Sequence, residues 1–214
     1  NKTYKKYLDN DFHEDSLPNL LDLQKELDKE KEFSEGGRLI AEAMEYYTKG
    51  SINIFSHHSN LDFDNRFVVF NIRDLGNELK QVSLLIMLDF IWNRMIKNSM
   101  KKIRTYTYVD EIHVLFKNDL SAMYLQQLYK RGRKYGLVIT GITQDVEEIL
   151  LSTIARFMIS NSDFIMMLNQ SSENLKILAE MLKISENQMS YVSKSEAGSG
   201  LLFAEKTNLL NKFG

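Results

Sequence analysis

The 214-residue sequence has no cysteine, one proline and only 10 glycines. Without thiols there are neither disulfides nor thiolate metal sites, which fits a reducing compartment. The scarcity of proline and glycine argues against low-complexity linkers, and no internal repeat is visible. Charge of one sign is also missing. With 27 basic and 29 acidic residues the net charge is −2, so no overall basic field gathers nucleic acid. The longest apolar run, Val82 to Trp92, is interrupted by Ser83 and Asp89 and is too short to span a bilayer. The opening NKTYKKYLDN lacks the apolar stretch of a signal peptide. Finally, no Gly-Lys dipeptide occurs, and so no G-x-x-x-x-G-K-[ST] loop to cradle phosphates. The nearest approach, GLVITGIT at Gly136 to Thr143, has Ile142 where the lysine belongs, and its apolar and β-branched interior suits a buried strand. AGSG at Ala197 to Gly200 reads as a plain turn.

What is present is a hydrophobic fraction of 43%, ordinary for a globular chain with a real core. Residues 1–50 predict a helical, charged segment. In DSLPNLLDLQKEL, Asp15 and Ser16 are candidate caps, Pro18 stands in the first turn and Leu20, Leu23 and Leu27 form a narrow stripe. GGRLIAEAMEYYTKG predicts a second helix with Leu39, Ile40, Ala43, Met44 and Tyr47 on one face and Gly50 as its stop.

The character changes at Ser51. INIF and RFVVFNI read as strands, and ELKQVSLLIMLDFIWNRMIK as a long buried helix. Then follow a strand TYTYV, a helix DLSAMYLQQLYKRGRK and a strand LVITGI. A helix around Val146–Phe157, a strand FIMML and a helix ENLKILAEMLK come next. A short helix opened by an S-x-x-Q box at Ser185 and Gln188 precedes a last strand, GLLFAE. Strands alternating with long helices predict an α/β fold with a mainly parallel sheet flanked by helices. The expected organisation is a helical appendage at 1–50 and an α/β domain at 51–214.

One strand runs straight into chemistry. TYTYV is followed by Asp110 and Glu111, then by IHVLF. Two solvated carboxylates at a strand end are common. The same pattern is also how nucleotide-hydrolysing proteins present a Mg²⁺ carboxylate beside a water-polarising one. His57 and His58 are adjacent on an extended segment, point to opposite faces and read as surface or packing residues rather than shared metal ligands. The methionines read as core filling.

Three motifs in order, VDEIHVLF, then RGRKYGL about 20 residues on, then ITQD at the next strand end, resemble the large VirB-type ATPases of type IV secretion and conjugation, within the RecA-like DNA-pumping motors. FVVFNIRDLGNELKQVSLLIMLDFIWNRM also looks like that family's strand, DL turn and long helix. The resemblance covers about residues 51–205; residues 1–50 match far less clearly. It implies a RecA-like domain in which Asp110 holds Mg²⁺ through its water shell, Glu111 polarises the attacking water and Gln144 senses the γ-phosphate of ATP. Arg133 matches the motif arginine that reaches a neighbouring subunit's phosphate, with Arg131 an equally placed spare. Alternatively, Arg133 is a cation favoured by a helix C-terminus. DEIH also spells a helicase box, but helicases carry their arginine motif in a second motor domain, whereas here it lies within the same βαβ unit.

The resemblance further implies a homo-oligomer working peripherally at the cytoplasmic face of the membrane with secretion-channel subunits and a DNA-coupling ATPase; DNA contact itself is left open. The chain is then expected to be a fragment downstream of the phosphate loop, inactive by itself. A degenerate ATPase fold kept as a scaffold is the competing expectation.

Overall fold

The computed structural model describes residues 2–13, 16–30, 34–50, 53–58, 65–169, 171–193, 196, 198–204 and 207–212. They fall into two units, Asn1–Asn71 and Ile72–Gly214.

In the first unit, α1 (Lys5–Asp9), α2 (Leu20–Glu30) and α3 (Glu35–Thr48) precede a 3₁₀ turn at Asn53–Phe55. The cap of α2 is neither of the residues expected from sequence. Asp15 lies outside the described residues, and the Ser16 hydroxyl donates to the His13 carbonyl at 2.8 Å. Asn19 caps instead. Its Oδ1 accepts the Asp22 N–H at 3.1 Å while Asp22 Oδ2 accepts the Asn19 N–H at 3.2 Å. This reciprocal box satisfies two orphan donors at once and starts the helix after Pro18. Helix α3 is capped by Ser34, whose hydroxyl accepts the Gly37 N–H at 3.0 Å.

The face α3 buries also differs from expectation. Leu39 and Ile40 are 55% and 56% exposed, whereas Ala41 and Thr48, two turns apart, are buried. The reason lies in α2. Gln24 is itself buried and donates to the Ala41 carbonyl at 3.1 Å, with the Thr48 hydroxyl 3.4 Å from its Oε1. Small residues let a polar side chain reach the facing backbone, so the larger apolar ones turn outward.

Neither INIF nor RFVVFNI forms a strand. Ile52 lies outside the described residues, Asn53–Phe55 make the 3₁₀ turn, and residues 67–72 carry no ladder. Phe67 is 83% exposed. A β-rich composition makes a strand only when a neighbouring strand supplies hydrogen bonds.

In the second unit, α4 (Asn77–Met100) leads to β1 (Thr105–Val109), a 3₁₀ turn at Ile112–Phe116, α5 (Asp119–Gly132), a 3₁₀ turn at Arg133–Tyr135 and β2 (Leu137–Gly141). Strands β1 and β2 are parallel, in register from Thr105↔Leu137 to Val109↔Gly141. This is the crossover arrangement expected from the alternation. Gly136, at φ +74°, makes the turn into β2, and its carbonyl accepts the Thr105 N–H at 3.1 Å. Helix α5 starts at Asn118, whose Oδ1 accepts the Leu120 and Ser121 N–H groups. It buries Ser121, Ala122, Leu125, Leu128 and Gly132, the 3.6-residue face. A Cβ on Gly132 would meet Leu137 Cδ2 at 2.7 Å, so glycine permits the close approach of α5 to β2.

The helix expected over Val146–Phe157 is two helices, α6 (Val146–Leu151) and α7 (Thr153–Ser160). Ser152 is extended between them and caps α7 by accepting the Ala155 N–H at 3.3 Å. After β3 (Phe164–Met167) come α8 (Ser172–Leu182) and α9 (Glu186–Ser193), the latter opened by Ser185 and Gln188 as expected, with the Ser185 N–H donating to Gln188 Oε1 at 3.0 Å. Strand β4 (Ser199–Ala204) pairs antiparallel with β3 and with β5 (Thr207–Lys212), which the alternation did not reveal.

Two apolar clusters organise this unit. Leu88, Met95, Leu125, Leu128 and Leu137 belong to one, packed against a single face of the β1–β2 pair. Leu175, Val192, Met167 and Leu201 belong to the other. Helix α6 joins them, placing Ile149 in the first and Val146 and Leu150 in the second. Among the described residues, no helix is long and apolar enough to cross a membrane.

Candidate functional site

The site grows from the carboxyl ends of β1 and β2. Pairing continues past both strands: the Ile142 N–H donates to the Val109 carbonyl and the Ile112 N–H to the Ile142 carbonyl, each at 2.9 Å. Asp110 and Glu111 therefore leave β1 at the end where Thr143 and Gln144 leave β2. Asp110 is exposed, and its Oδ1 accepts the Glu111 N–H at 3.1 Å.

Glu111 adopts φ 49° and ψ 48°, the left-handed region uncommon for a residue with a Cβ. Its conformation is fixed from both sides, by that Asp110 contact and by its carbonyl accepting the Val114 N–H at 3.0 Å. The turn carries Ile112 against Gly141, where a Cβ would lie 2.6 Å from Ile112 Cδ1. Glycine at the end of β2 thus leaves room for the residue that anchors Glu111.

Beyond the turn, His113 faces three groups. Its Nδ1 is hydrogen-bonded to Thr143 Oγ1 at 3.1 Å and lies 3.1 Å from Glu111 Oε2. Its Nε2 lies 3.6 Å from Glu148 Oε2. Glu148 Oε1 pairs with Lys117 Nζ at 2.8 Å. Thr143 Oγ1 accepts the Asp145 N–H at 3.0 Å, and Asp145 caps α6 by accepting the Glu148 N–H at 3.0 Å. Glu111 Oε2 and Glu148 Oε2 are both buried without a hydrogen-bond partner. Glu111 Oε2 thus has a ring nitrogen at hydrogen-bonding distance but not in hydrogen-bonding geometry.

His113, Asp145 and Glu148 offer ligand atoms within 4.8 Å of one another. Both carboxylates are already engaged, by the α6 amide and by the Lys117 ammonium, so the cluster reads as a polar network around His113. The sequence motifs do not single out His113, Thr143, Lys117 or Glu148 as members of one network. The signal was available in ITQDVEE, where a cap residue and a carboxylate three positions later mark a helix start directly after a strand.

Gln144 is exposed at the same strand ends as Asp110. Arg133 is not brought to that end. It begins the 3₁₀ turn that precedes β2, so the five residues of β2, about 16 Å at strand rise, separate it from the Gln144 end. Arg131 stands exposed in the last turn of α5, where a helix favours cations. His57 and His58 are exposed. GLVITGIT contributes β2 and its exit rather than an anion loop.

Chemically, the arrangement offers an exposed carboxylate, a second carboxylate of fixed backbone orientation and a polar amide on one strand-end rim. This is where parallel α/β sheets hold their ligands.

A comparison with curated proteins finds no match. Among solved structures, VirB4 of Thermoanaerobacter pseudethanolicus superposes with a TM-score of 0.82 at 20% identity, over 100% of this chain and 61% of that one. The chain thus shares the VirB4 fold while spanning 61% of that protein's length. A family model described as the TraG P-loop domain matches residues 2–198. Only the last residues and Asn1 fall outside that match, and the chain belongs to the TraG P-loop domain family.

Proposed function

We propose that this chain carries the metal- and water-handling half of an ATP-hydrolysing motor of type IV secretion or conjugation. The observation that carries the reading is the parallel register Val109↔Gly141, which gives Asp110, Glu111 and Gln144 a common rim. Asp110 is suited to hold Mg²⁺: its carboxylate is exposed and keeps one oxygen clear of the Glu111 amide. Mg²⁺ bound there with its water shell supplies charge neutralisation on the leaving phosphates. Glu111 orients and deprotonates the attacking water, and Gln144 reads the γ-phosphate.

Arg133, remote from this rim, serves a neighbouring subunit's nucleotide, which requires a homo-oligomer; Arg131 is the alternative. Residues 1–50 act as a helical appendage to the motor domain at 51–214. The complete machine works at the cytoplasmic face of the membrane with secretion-channel subunits and a coupling ATPase. The phosphate cradle comes from sequence outside these 214 residues, because no Gly-Lys pair lies within them.

The test is Mg²⁺-dependent ATP hydrolysis by a protein that contains this chain and a phosphate loop. Glu111→Gln should lower turnover at least about 100-fold with ATP binding retained. Arg133→Ala should also lower turnover, and mixing it with the Glu111→Gln protein should restore part of it. Undiminished turnover in Glu111→Gln removes Glu111 from the chemistry. No hydrolysis by the unaltered protein leaves the fold as an interaction scaffold.

A further inference from the structure

His113 has an arrangement that the motor reading does not use. Its side chain is only 14% exposed, held between the Glu111 turn and the start of α6. On one side Nε2 faces Glu148 Oε2 at 3.6 Å, and that carboxylate is tied back by Lys117 at 2.8 Å. On the other side Nδ1 has two oxygens at the same distance, 3.1 Å, but bonds only one of them. Thr143 Oγ1 has the hydrogen bond, whereas Glu111 Oε2 is buried and unsatisfied.

The Thr143 hydroxyl donates to the Asp145 carbonyl at 3.3 Å, which leaves its oxygen to accept from a proton on Nδ1, and a donor facing two acceptors is a two-position device. Thr143 sits immediately before Gln144, and its hydroxyl is fixed by the Asp145 N–H at 3.0 Å. Movement of Gln144 toward a phosphate therefore acts on the Thr143 hydroxyl. Glu111 cannot turn toward the ring by backbone adjustment, because its left-handed conformation is held on both sides.

We infer that His113 is a positioning residue for Glu111: its Nδ1–H passes from Thr143 to Glu111 Oε2 when the Gln144 loop engages nucleotide. The exchange orients Oε1 toward the attacking water. In this way the strand-end loop that reads the phosphate is linked to the carboxylate that activates the water. The inference rests on Glu111 being the water-polarising group, and the variants are chosen to separate the two ideas.

The experiment uses the hydrolysing protein that contains this chain, with ATP-Mg²⁺ as the probe. His113→Ala should lower kcat by about ten- to a hundredfold with KM for ATP unchanged within about twofold. His113→Asn puts an amide N–H close to the Nδ1 position and should recover most of the loss. His113→Gln extends its amide toward the Nε2 position and should not. Because His113 acts through Glu111, His113→Ala added to Glu111→Gln should cause no further loss, whereas a merely structural role would add one. Wild-type kcat in His113→Ala alongside an inactive Glu111→Gln overturns the positioning role and spares the motor reading. An active Glu111→Gln overturns the motor reading instead. If His113→Ala fails to fold, the Asn and Gln variants decide, and equal kcat in these two overturns the inference. A readout without turnover is the ¹⁵N resonance of His113 Nδ1 in the chain itself. Thr143→Val should shift it as the bond is lost, and an unmoved resonance counts against the exchange.

Discussion

The α2–α3 hairpin and the α4–α5 layer of this chain are both helix pairs, held together by different means. Between α2 and α3 the buried groups are Gln24, Ala41 and Thr48, and the contacts are hydrogen bonds from a side-chain amide to backbone and hydroxyl. Around α4 and α5 the buried side chains include Leu88, Met95, Leu125 and Leu128, and the buried hydroxyls of Ser83 and Ser121 donate to nearby carbonyls, Leu79 and Leu115, rather than across the helix pair. A polar contact between the two helices lies at the margin, where the Tyr124 hydroxyl donates to Asp89 Oδ1 at 3.1 Å. Burial of apolar area is additive and tolerant of direction, whereas an amide hydrogen bond gains little net free energy but penalises every misalignment. The first pair should therefore be specific and weak, the second strong.

Four outcomes break or sharpen that contrast. The largest is expected for Leu125→Ala, which empties the centre of the first apolar cluster. It should destabilise the second unit by about 2–5 kcal/mol, read from the denaturant midpoint of Trp92 fluorescence, since Trp92 packs on that cluster. Gln24→Ala should cost about 0.5–1.5 kcal/mol by removing the buried amide's bond to the Ala41 carbonyl, read as faster amide exchange in α2 and α3. A value as large as that of Leu125→Ala would refute the contrast. In the unaltered chain, amides of Leu20–Leu27 should exchange at least about tenfold faster than those of Leu84–Ile91; equal protection would mean that the polar hairpin is no weaker.

The smallest effect concerns acid. The Lys25 ammonium and then the Asn19 N–H hold the Asp22 carboxyl below its ordinary value of 3.8. A depressed carboxylate contributes stability above its unfolded pKa and loses it as pH falls through the folded one. Helix α2 should therefore loosen slightly on titration below about pH 4, and Asp22→Asn should flatten that slope in helicity measured by circular dichroism. Screening at this exposed pair keeps the effect small.

The same contrast explains what could be read from sequence. Helix α5 and strands β1 and β2 were legible because apolar residues recur at the period of their element, and α4 because its apolar stretch is far longer than a strand. Asp110, Glu111 and Gln144 could be assigned to one rim because parallel strands share a carboxyl end. The buried face of α3 was not legible, since a scale that rewards Leu39 and Ile40 cannot foresee that Gln24 needs a small residue opposite it. RFVVFNI shows the converse: its residues suit a strand, but pairing is a property of the neighbour. Strand β5 takes its place through backbone bonds to β4 rather than through an apolar pattern. His113 could be seen as a letter in DEIH, but its hydrogen-bond partner Thr143 lies 30 residues on, past β2, and Glu148 faces it from α6.

Among the described residues, Asp11, Phe12, Lys102 and Lys183 also have positive φ, but each lies in the turn just past a helix, where such a conformation is routine. Glu111 follows a strand and bears the carboxylate of the rim. Its backbone is one that glycine or asparagine adopts at less expense. Folding and chemistry therefore select different amino acids at the same position. A library sorted for thermal resistance alone would drift toward glycine or asparagine at 111, and a lineage that retains glutamate there is under selection for what the carboxylate does.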